Sequence, residues 1–212
     1  MVSVSLKRFW TDERGLSLTE TLLIMPIVLT ILIVMVEAGV AVFQWNQSTK
    51  AAQIGARVAA VSSPIVGDTA YAALSADWTS TGEGDSVNGS TIAVSCGPSG
   101  PACDQQRLAR LLTGSDTNCD PLQTTLGAVV GMCDVAPFIG LNNVQVTYYR
   151  SGLGYIGRPG GPVTNITVEL RNLTFDFLLL DDLIPAFGTL TMPAQPVSIT
   201  SEDVNDCKDT CP

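Results

Sequence analysis

The stretch from Leu16 to Phe43 reads LSLTETLLIMPIVLTILIVMVEAGVAVF and decides the architecture of this chain. Its section from Leu22 to Val36 carries no charged residue. As a helix rising ~1.5 Å per residue, the stretch is roughly 42 Å long, which exceeds the ~30 Å hydrocarbon core of a bilayer. We therefore predict a transmembrane helix over residues 16–43.

The composition of the 212-residue chain fits a membrane-anchored domain. Hydrophobic residues make up 46%, charged residues only 15%, and the mean hydropathy is +0.30, whereas about 25% of the residues in a soluble domain are charged. A net charge of -9 excludes the basic face that a phosphate-backbone binder needs. The chain has no histidine and no G-x-S-x-G motif, so it lacks the usual nucleophile and base pairs. We predict no enzymatic activity, no cofactor and no nucleic-acid partner.

Three residues interrupt the apolar character of the predicted span. Glu20 and Glu37 bracket its centre, roughly 25 Å apart along the axis and about 100° apart around it, so they do not share a face. Glu37 fits an interfacial carboxylate. Glu20 lies inside the span, where an unpaired charge costs on the order of a few kcal/mol, so we expect it to have a partner. Pro26 removes a backbone donor and predicts a mild kink.

The basic residues lie asymmetrically around the span. Lys7, Arg8 and Arg14 precede it, and no lysine or arginine follows it until Lys50. By the positive-inside rule, the N-terminus is cytoplasmic and the C-terminal domain lies across the membrane.

The helix is expected to continue beyond the membrane over residues 44–63 and to end at Ser62-Ser63-Pro64, because the residue before a proline disfavours the α conformation. Small residues recur at helical spacing along this extension and allow close packing, either on the protein's own sheet or on a partner helix. They are Ala51, Ala52, Gly55, Ala56, Ala59 and Ala60.

The remaining sequence predicts a small antiparallel sheet, which makes the fold class α+β. Residues 66–121 read as a loop-rich excursion with one short helix at 104–112. Polar and apolar residues alternate over 144–149 and 166–171, typical of two strands joined by a glycine-rich connection. A third strand over 189–200 is interrupted by two prolines, which suits an edge.

An apolar stretch from Phe175 to Pro185 fits either packing in the core or near the membrane, or an exposed partner surface. An acidic tail follows at residues 202–209, and it lacks the glycine and distal glutamate of a calcium loop. We read this tail as solvated.

All six cysteines follow the span, which suits an oxidising compartment. Six cysteines allow fifteen connectivities. From proximity alone we expect neighbours to pair, which staples the loop-rich regions. A zinc site is disfavoured, because only the last pair has a short metal-ligand spacing. The disulfide candidates are Cys96 with Cys103, Cys119 with Cys133, and Cys207 with Cys211.

The junction Arg14-Gly15-Leu16-Ser17-Leu18-Thr19-Glu20 resembles a type IV prepilin-like processing site. A charged leader ends in glycine, and an apolar segment follows with glutamate as its fifth residue. Glycine offers a membrane protease a backbone with no Cβ for close approach. The Gly15–Leu16 bond is therefore the predicted cleavage site.

Further motifs narrow this resemblance to the TadE-like family of minor pseudopilins from tight-adherence (Flp-type) pilus assembly systems. Lys7-Arg8-Phe9 with Asp12-Glu13-Arg14-Gly15 is similar to the family's leader. Pro26 and Val36-Glu37-Ala38-Gly39 match at the expected spacing, and the resemblance extends through residues 51–60. It covers about the first 60 residues.

The resemblance implies a pilin-like organisation. Residues 1–15 would be a cytoplasmic leader, 16–43 the span, 44–63 a periplasmic helical extension and 64–212 a periplasmic α+β domain. The protein would reside in the bacterial inner membrane as a single-pass component. The resemblance also allows its incorporation into the pilus. Its implied partners are the prepilin peptidase, other minor pseudopilins, the major pilin and the assembly platform.

In such proteins the acidic residue that Glu20 matches pairs with the freed N-terminal amine of a neighbouring subunit or guides insertion. Pro26 and Glu37 are further candidates for assembly or processing. The alternative function is a signal-anchored periplasmic binding or adhesion protein outside any pilus, in which the uncleaved helix only tethers the domain.

Overall fold

The computed structural model of the chain describes residues 14–77, 82–87, 90–120, 128–158, 161–175, 177, 190–193 and 195–201. The chain divides into a first unit, Met1–Val42 with Asp176–Leu190, and a second unit, Phe43–Phe175 with Thr191–Pro212. The residues expected to form the leader before Arg14, and the tail that contains Cys207 and Cys211, lie outside the described residues.

Helix α1 (Arg14–Val61) has 48 residues and includes both the predicted span and its extension. The helix passes through Pro26 without a break. It ends three residues before Pro64, close to the predicted end at Ser62–Pro64, as expected from the restriction that proline places on the preceding residue. The portion Leu18–Val61 is long and apolar enough to cross a membrane.

The second unit contains a four-stranded antiparallel sheet in the described part of the chain, in the order β1-β2-β3-β6. The strands are Ile92–Cys96 (β1), Val144–Arg150 (β2), Thr164–Leu170 (β3) and Val197–Thr200 (β6). The register of β2 and β3 runs from Val144 opposite Leu170 to Arg150 opposite Thr164. Both strands alternate buried and less buried residues, as the sequence predicted. The α+β prediction, with a long apolar helix and a small antiparallel sheet, is confirmed.

The third predicted strand differs in detail. The structure has Leu190–Thr191 (β5) and Val197–Thr200 (β6) where one interrupted strand was expected over 189–200. Pro193 and Pro196 lie between them. Strand β6 pairs only with β3 among the described strands and so forms an edge, in agreement with the expectation from proline.

The loop-rich description of residues 66–121 was incomplete. The structure has a short helix α2 (Asp68–Ala72), a 3₁₀ turn at Ala73–Ser75 and the edge strand β1 within it. Strand β1 pairs with β2 from Ile92 opposite Arg150 to Cys96 opposite Val146. It was missed because it is only five residues long and lies in a stretch rich in glycine and serine, although Ile92, Val94 and Cys96 alternate with Ala93 and Ser95.

The remaining short elements surround the sheet. Helix α3 (Gln105–Thr113) matches the helix predicted at 104–112 and buries Leu108, Leu111 and Leu112. The Asp104 carboxylate caps it by accepting hydrogen bonds from the backbone N–H groups of Gln106 (3.0 Å) and Arg107 (3.1 Å). Three further elements are α4 (Met132–Val135), a 3₁₀ turn (Leu141–Asn143) and β4 (Thr174–Phe175).

The hydrophobic core of the second unit joins the end of α1 to the sheet. Its buried members come from α1, β2, β3 and α3, and they include Tyr148, whose ring meets that of Tyr71 edge-on at 5.4 Å. The Tyr148 hydroxyl accepts a hydrogen bond from the Ile65 N–H at 3.0 Å. Burial raises the pKa of Tyr148 well above its ordinary value, so the hydroxyl stays protonated.

Of the apolar stretch Phe175–Pro185, the structure describes two residues, a buried Phe175 and a half-buried Phe177. The rest of that stretch, on which the core or partner-surface alternatives depend, lies outside the described residues.

Candidate assembly site along the N-terminal helix

The predicted cleavage junction lies in the first turn of α1. The backbone of Gly15 and Leu16 is already helical. Cleavage between them would leave Leu16 as the first residue of a helix whose initial N–H groups have no partner within the helix.

Glu20 lies one helical turn after Leu16 and is exposed. The surrounding surface is apolar, with Leu18, Leu22 and Leu23 between 67% and 69% exposed. Glu20 thus presents a carboxyl group on an exposed apolar helix surface, where a partner molecule has access to it.

Pro26 accepts a hydrogen bond from a nearby side chain. The Thr30 hydroxyl donates to the Pro26 carbonyl oxygen at 2.7 Å. The carbonyl that loses its N–H partner to proline is that of Leu22, four residues earlier, so this bond does not replace the missing one. The predicted role of Pro26 in assembly or processing stays a prediction.

Glu37 differs from Glu20 in its surroundings. It is only 3% exposed, although its neighbours Met35 and Val36 are 67% and 66% exposed. Glu37 is therefore covered by its own chain. The interfacial position expected from the sequence stays a prediction.

The small-residue face of the extension packs on the core of the second unit. Ala51, Ala52, Ala56, Ala59 and Ala60 are at most 2% exposed and belong to the hydrophobic core. Of the two packing partners considered for this face, the structure therefore has the protein's own domain. The opposite face carries polar and charged exposed residues, namely Asn46, Lys50, Gln53 and Arg57.

Two disulfides staple the second unit within the described residues. Cys96 at the end of β1 pairs with Cys103 before α3, and Cys119 after α3 pairs with Cys133 in α4. These are two of the three neighbour pairs expected from the sequence. The third candidate pair, Cys207 with Cys211, is outside the described residues.

Ion pairs in the second unit bind its loops rather than form an empty site. The Arg107 guanidinium donates to the Pro64 carbonyl (2.7 Å) and to both carboxylate oxygens of Asp68 (2.8 and 3.0 Å). These hydrogen bonds lower the pKa of Asp68. Arg107 also lines a groove of about 490 Å³ beside α3, but its donors are already engaged. No group of three or more potential metal-ligating side chains occurs in the described ranges.

Arg150 is a structural residue that the sequence interpretation missed. It is fully buried and donates hydrogen bonds to the Leu74 carbonyl (2.8 Å) and to the Asp77 carboxylate, including one to Oδ2 at 3.0 Å. The pairing lowers the pKa of Asp77. The sequence did indicate this burial. The strand period of two that places Val144, Val146 and Tyr148 inside also places Arg150 inside.

Comparison with known proteins gives one family match. The TadE-like protein family matches residues 15–57, which begins at the predicted cleavage junction and ends within the packed part of α1. No match was found among curated proteins or among solved structures. The family is associated with Tad (Flp-type) pilus systems, is structural and is not known as an enzyme family. The N-terminal apolar helix is consistent with single-pass membrane anchoring. The family predicted from the sequence is thus confirmed for the N-terminal segment: residues 15–57 of this chain are TadE-like.

Proposed function

We propose that this protein is a minor pseudopilin of a Flp-type pilus assembly system, cleaved by a prepilin peptidase between Gly15 and Leu16. The observation that carries the proposal is the TadE-like match, which begins at Gly15 and follows α1 to residue 57. A helix with an exposed apolar surface at one end and a packed domain at the other is suited to anchoring and assembly in a membrane.

The proposed location is the bacterial inner membrane, with the N-terminus in the cytoplasm and the second unit in the periplasm. Two independent features support this orientation. Lys7, Arg8 and Arg14 precede the span, while no basic residue follows it until Lys50. The second unit contains disulfides, which form and persist in oxidising compartments such as the periplasm.

Glu20 is the proposed assembly residue. A carboxylate within an apolar environment is costly when it is alone, and an opposite charge in hydrogen-bonding distance removes much of that cost. Cleavage would create such a charge, the Leu16 amine of a neighbouring subunit. The pair forms only between processed chains, so it links processing to association with other minor pseudopilins, the major pilin and the assembly platform.

Glu37 provides a matched control within the same helix. Glu20 is exposed and reachable by a partner, whereas the chain covers Glu37. We expect Glu20→Gln to be cleaved and inserted normally but to be recovered with the pilus assembly complex at roughly one tenth of the wild-type level or less, because a charged hydrogen bond is worth about 1.5–3 kcal/mol. Glu37→Gln should change the stability of the chain rather than the association of a folded chain.

The decisive measurement is the mature N-terminus by mass spectrometry, in membranes from cells with and without their prepilin peptidase. A chain that begins at Leu16 only when the peptidase is present supports the proposal. A chain that still begins at Met1 in peptidase-containing cells contradicts it and favours a signal-anchored periplasmic binding or adhesion protein. Normal recovery of Glu20→Gln with the assembly complex would refute the assembly role of Glu20 specifically.

A further inference from the structure

The exposed apolar surface of α1 continues beyond Glu37. Val42 and Phe43 are 56% and 61% exposed. Because Glu37 is covered by its own chain, its charge does not interrupt the apolar surface offered to lipid. The surface therefore ends at Phe43, which is the last residue of the predicted span. Phe43 lies about one and a half turns after Glu37, the carboxylate that the sequence alone placed at the interface.

An aromatic and a cationic residue follow where this apolar surface ends. Trp45 is 40% exposed and Lys50 is exposed one to two turns later. Tryptophan is enriched at headgroup level, because its ring has an apolar body and one N–H donor. A lysine placed just beyond it can keep its stem along the apolar surface and its ammonium among phosphates.

The length of the helix agrees with this position. Glu20 and Trp45 are 25 positions apart, or roughly 37 Å along the axis. With Glu20 at one edge of the ~30 Å hydrocarbon core, Trp45 falls about 7 Å beyond the other edge, within the headgroup layer.

The folded part of the second unit begins immediately after this level. Ser48 is the first residue of the extension with a buried side chain, at 6% exposure. One position further, the Thr49 hydroxyl donates to Gln195 Oε1 at 3.5 Å, and Gln195 is exposed. Ser48 and Thr49 lie roughly 5–6 Å along the axis from Trp45.

We infer that Phe43, Trp45 and Lys50 form a lipid-headgroup contact on the C-terminal side of the span. The inference rests on the proposed membrane anchoring. It places Glu37 below the headgroups, at hydrocarbon depth, shielded from lipid by the chain itself.

Fluorescence quenching of Trp45 tests this placement in the full chain, reconstituted into phosphatidylcholine and phosphatidylglycerol vesicles. Trp10→Phe and Trp78→Phe leave Trp45 as the single emitter. In that background, with Trp45 also replaced by phenylalanine, Ile31→Trp and Val61→Trp mark a deep and an aqueous position on the same helix. Ile31 is exposed and lies roughly 16 Å along the axis from Glu20, near the middle of the ~30 Å core. If a background replacement prevents folding, the difference in emission between wild type and Trp45→Phe gives the same signal.

Bromines near the glycerol end of the lipid chains should quench Trp45 about twofold or more better than bromines near the terminal methyl. The order should reverse for Ile31→Trp, and Val61→Trp should respond only to aqueous iodide. If Trp45 behaves like Val61→Trp, the interface lies closer to Glu37 and the inference is wrong. Stronger quenching of Trp45 by the deep bromines overturns it as well. If no brominated lipid quenches Ile31→Trp, the membrane anchoring in the proposed function fails, and this inference fails with it.

Discussion

Gly55 provides the sharpest test of how α1 packs on the second unit. A Cβ at this position would lie 2.6 Å from Sδ, 3.1 Å from Cγ and 3.2 Å from Cε of Met132. Met132 is fully buried, so any movement of its flexible side chain away from the new Cβ has to be accommodated within the core. Gly39 lies on the same helix with no atom within 4 Å of such a Cβ and serves as the matched control.

Two opposing effects set the size of the change in Gly55→Ala. Alanine favours a helix over glycine by about 1 kcal/mol, while overpacking a filled core costs about 1–3 kcal/mol. The expected net loss is about 1 kcal/mol, or roughly 2–4 °C in Tm for a domain of this size. Gly55→Leu adds three more heavy atoms to the same contact and should lose more. Gly39→Ala should leave the unfolding of the second unit unchanged.

A double-mutant cycle with Met132→Ala separates the clash from helix propensity. Met132→Ala alone should cost about 2–5 kcal/mol through the cavity it leaves. In that background the new Cβ no longer meets sulfur, so Gly55→Ala should become neutral or stabilising, with a coupling of about 1–3 kcal/mol. The assay is thermal unfolding of the full chain in detergent, followed by near-ultraviolet circular dichroism of the packed tyrosines. Equal effects of Gly55→Ala in both backgrounds would refute the packing explanation.

Three further predictions concern the second unit. Asp104→Ala should cost about 1 kcal/mol in urea unfolding by removing the cap of α3, and Asp104→Asn should retain most of that stability. The pKa values of Asp68 and Asp77 are lowered in the folded state. The stabilisation of the fold by these two carboxylates is therefore fully present above the unfolded pKa and is lost as pH falls through the lower folded values. Tm should therefore drop in the acidic range below about pH 4, and by less in Asp77→Asn, which no longer titrates; an equal drop would contradict the assignment. Replacing Cys119 and Cys133 together by serine opens a link with a sequence separation of 14 and should cost about 3 kcal/mol; an unchanged urea midpoint would show that this disulfide does not support the fold.

The elements predicted well from the sequence are those whose own residues carry the pattern. Strands β2 and β3 alternate along their whole length, and α3 has both an apolar face and a capping aspartate. The two described cysteine pairs followed from proximity because short loops bring neighbours together. Strand β1 was harder to predict, since its alternation covers only five residues within a glycine- and serine-rich stretch and its pairing with β2 is a tertiary contact.

The two carboxylates of the apolar helix show the same limit at the candidate site. The sequence placed Glu20 inside the span and Glu37 at its interface, and the cost of an unpaired charge predicted a partner for Glu20, which the family resemblance identified as the amine of a neighbouring subunit. The structure adds an independent reason, because cover by the chain is a property of the folded molecule that periodicity does not encode. An exposed carboxylate on an apolar surface keeps its desolvation cost until another molecule offsets it, whereas a covered one is already accommodated within its own chain. The proposed assembly role therefore falls on Glu20 rather than on Glu37, and the inferred lipid contact ends at Phe43 and Trp45 rather than at the second carboxylate.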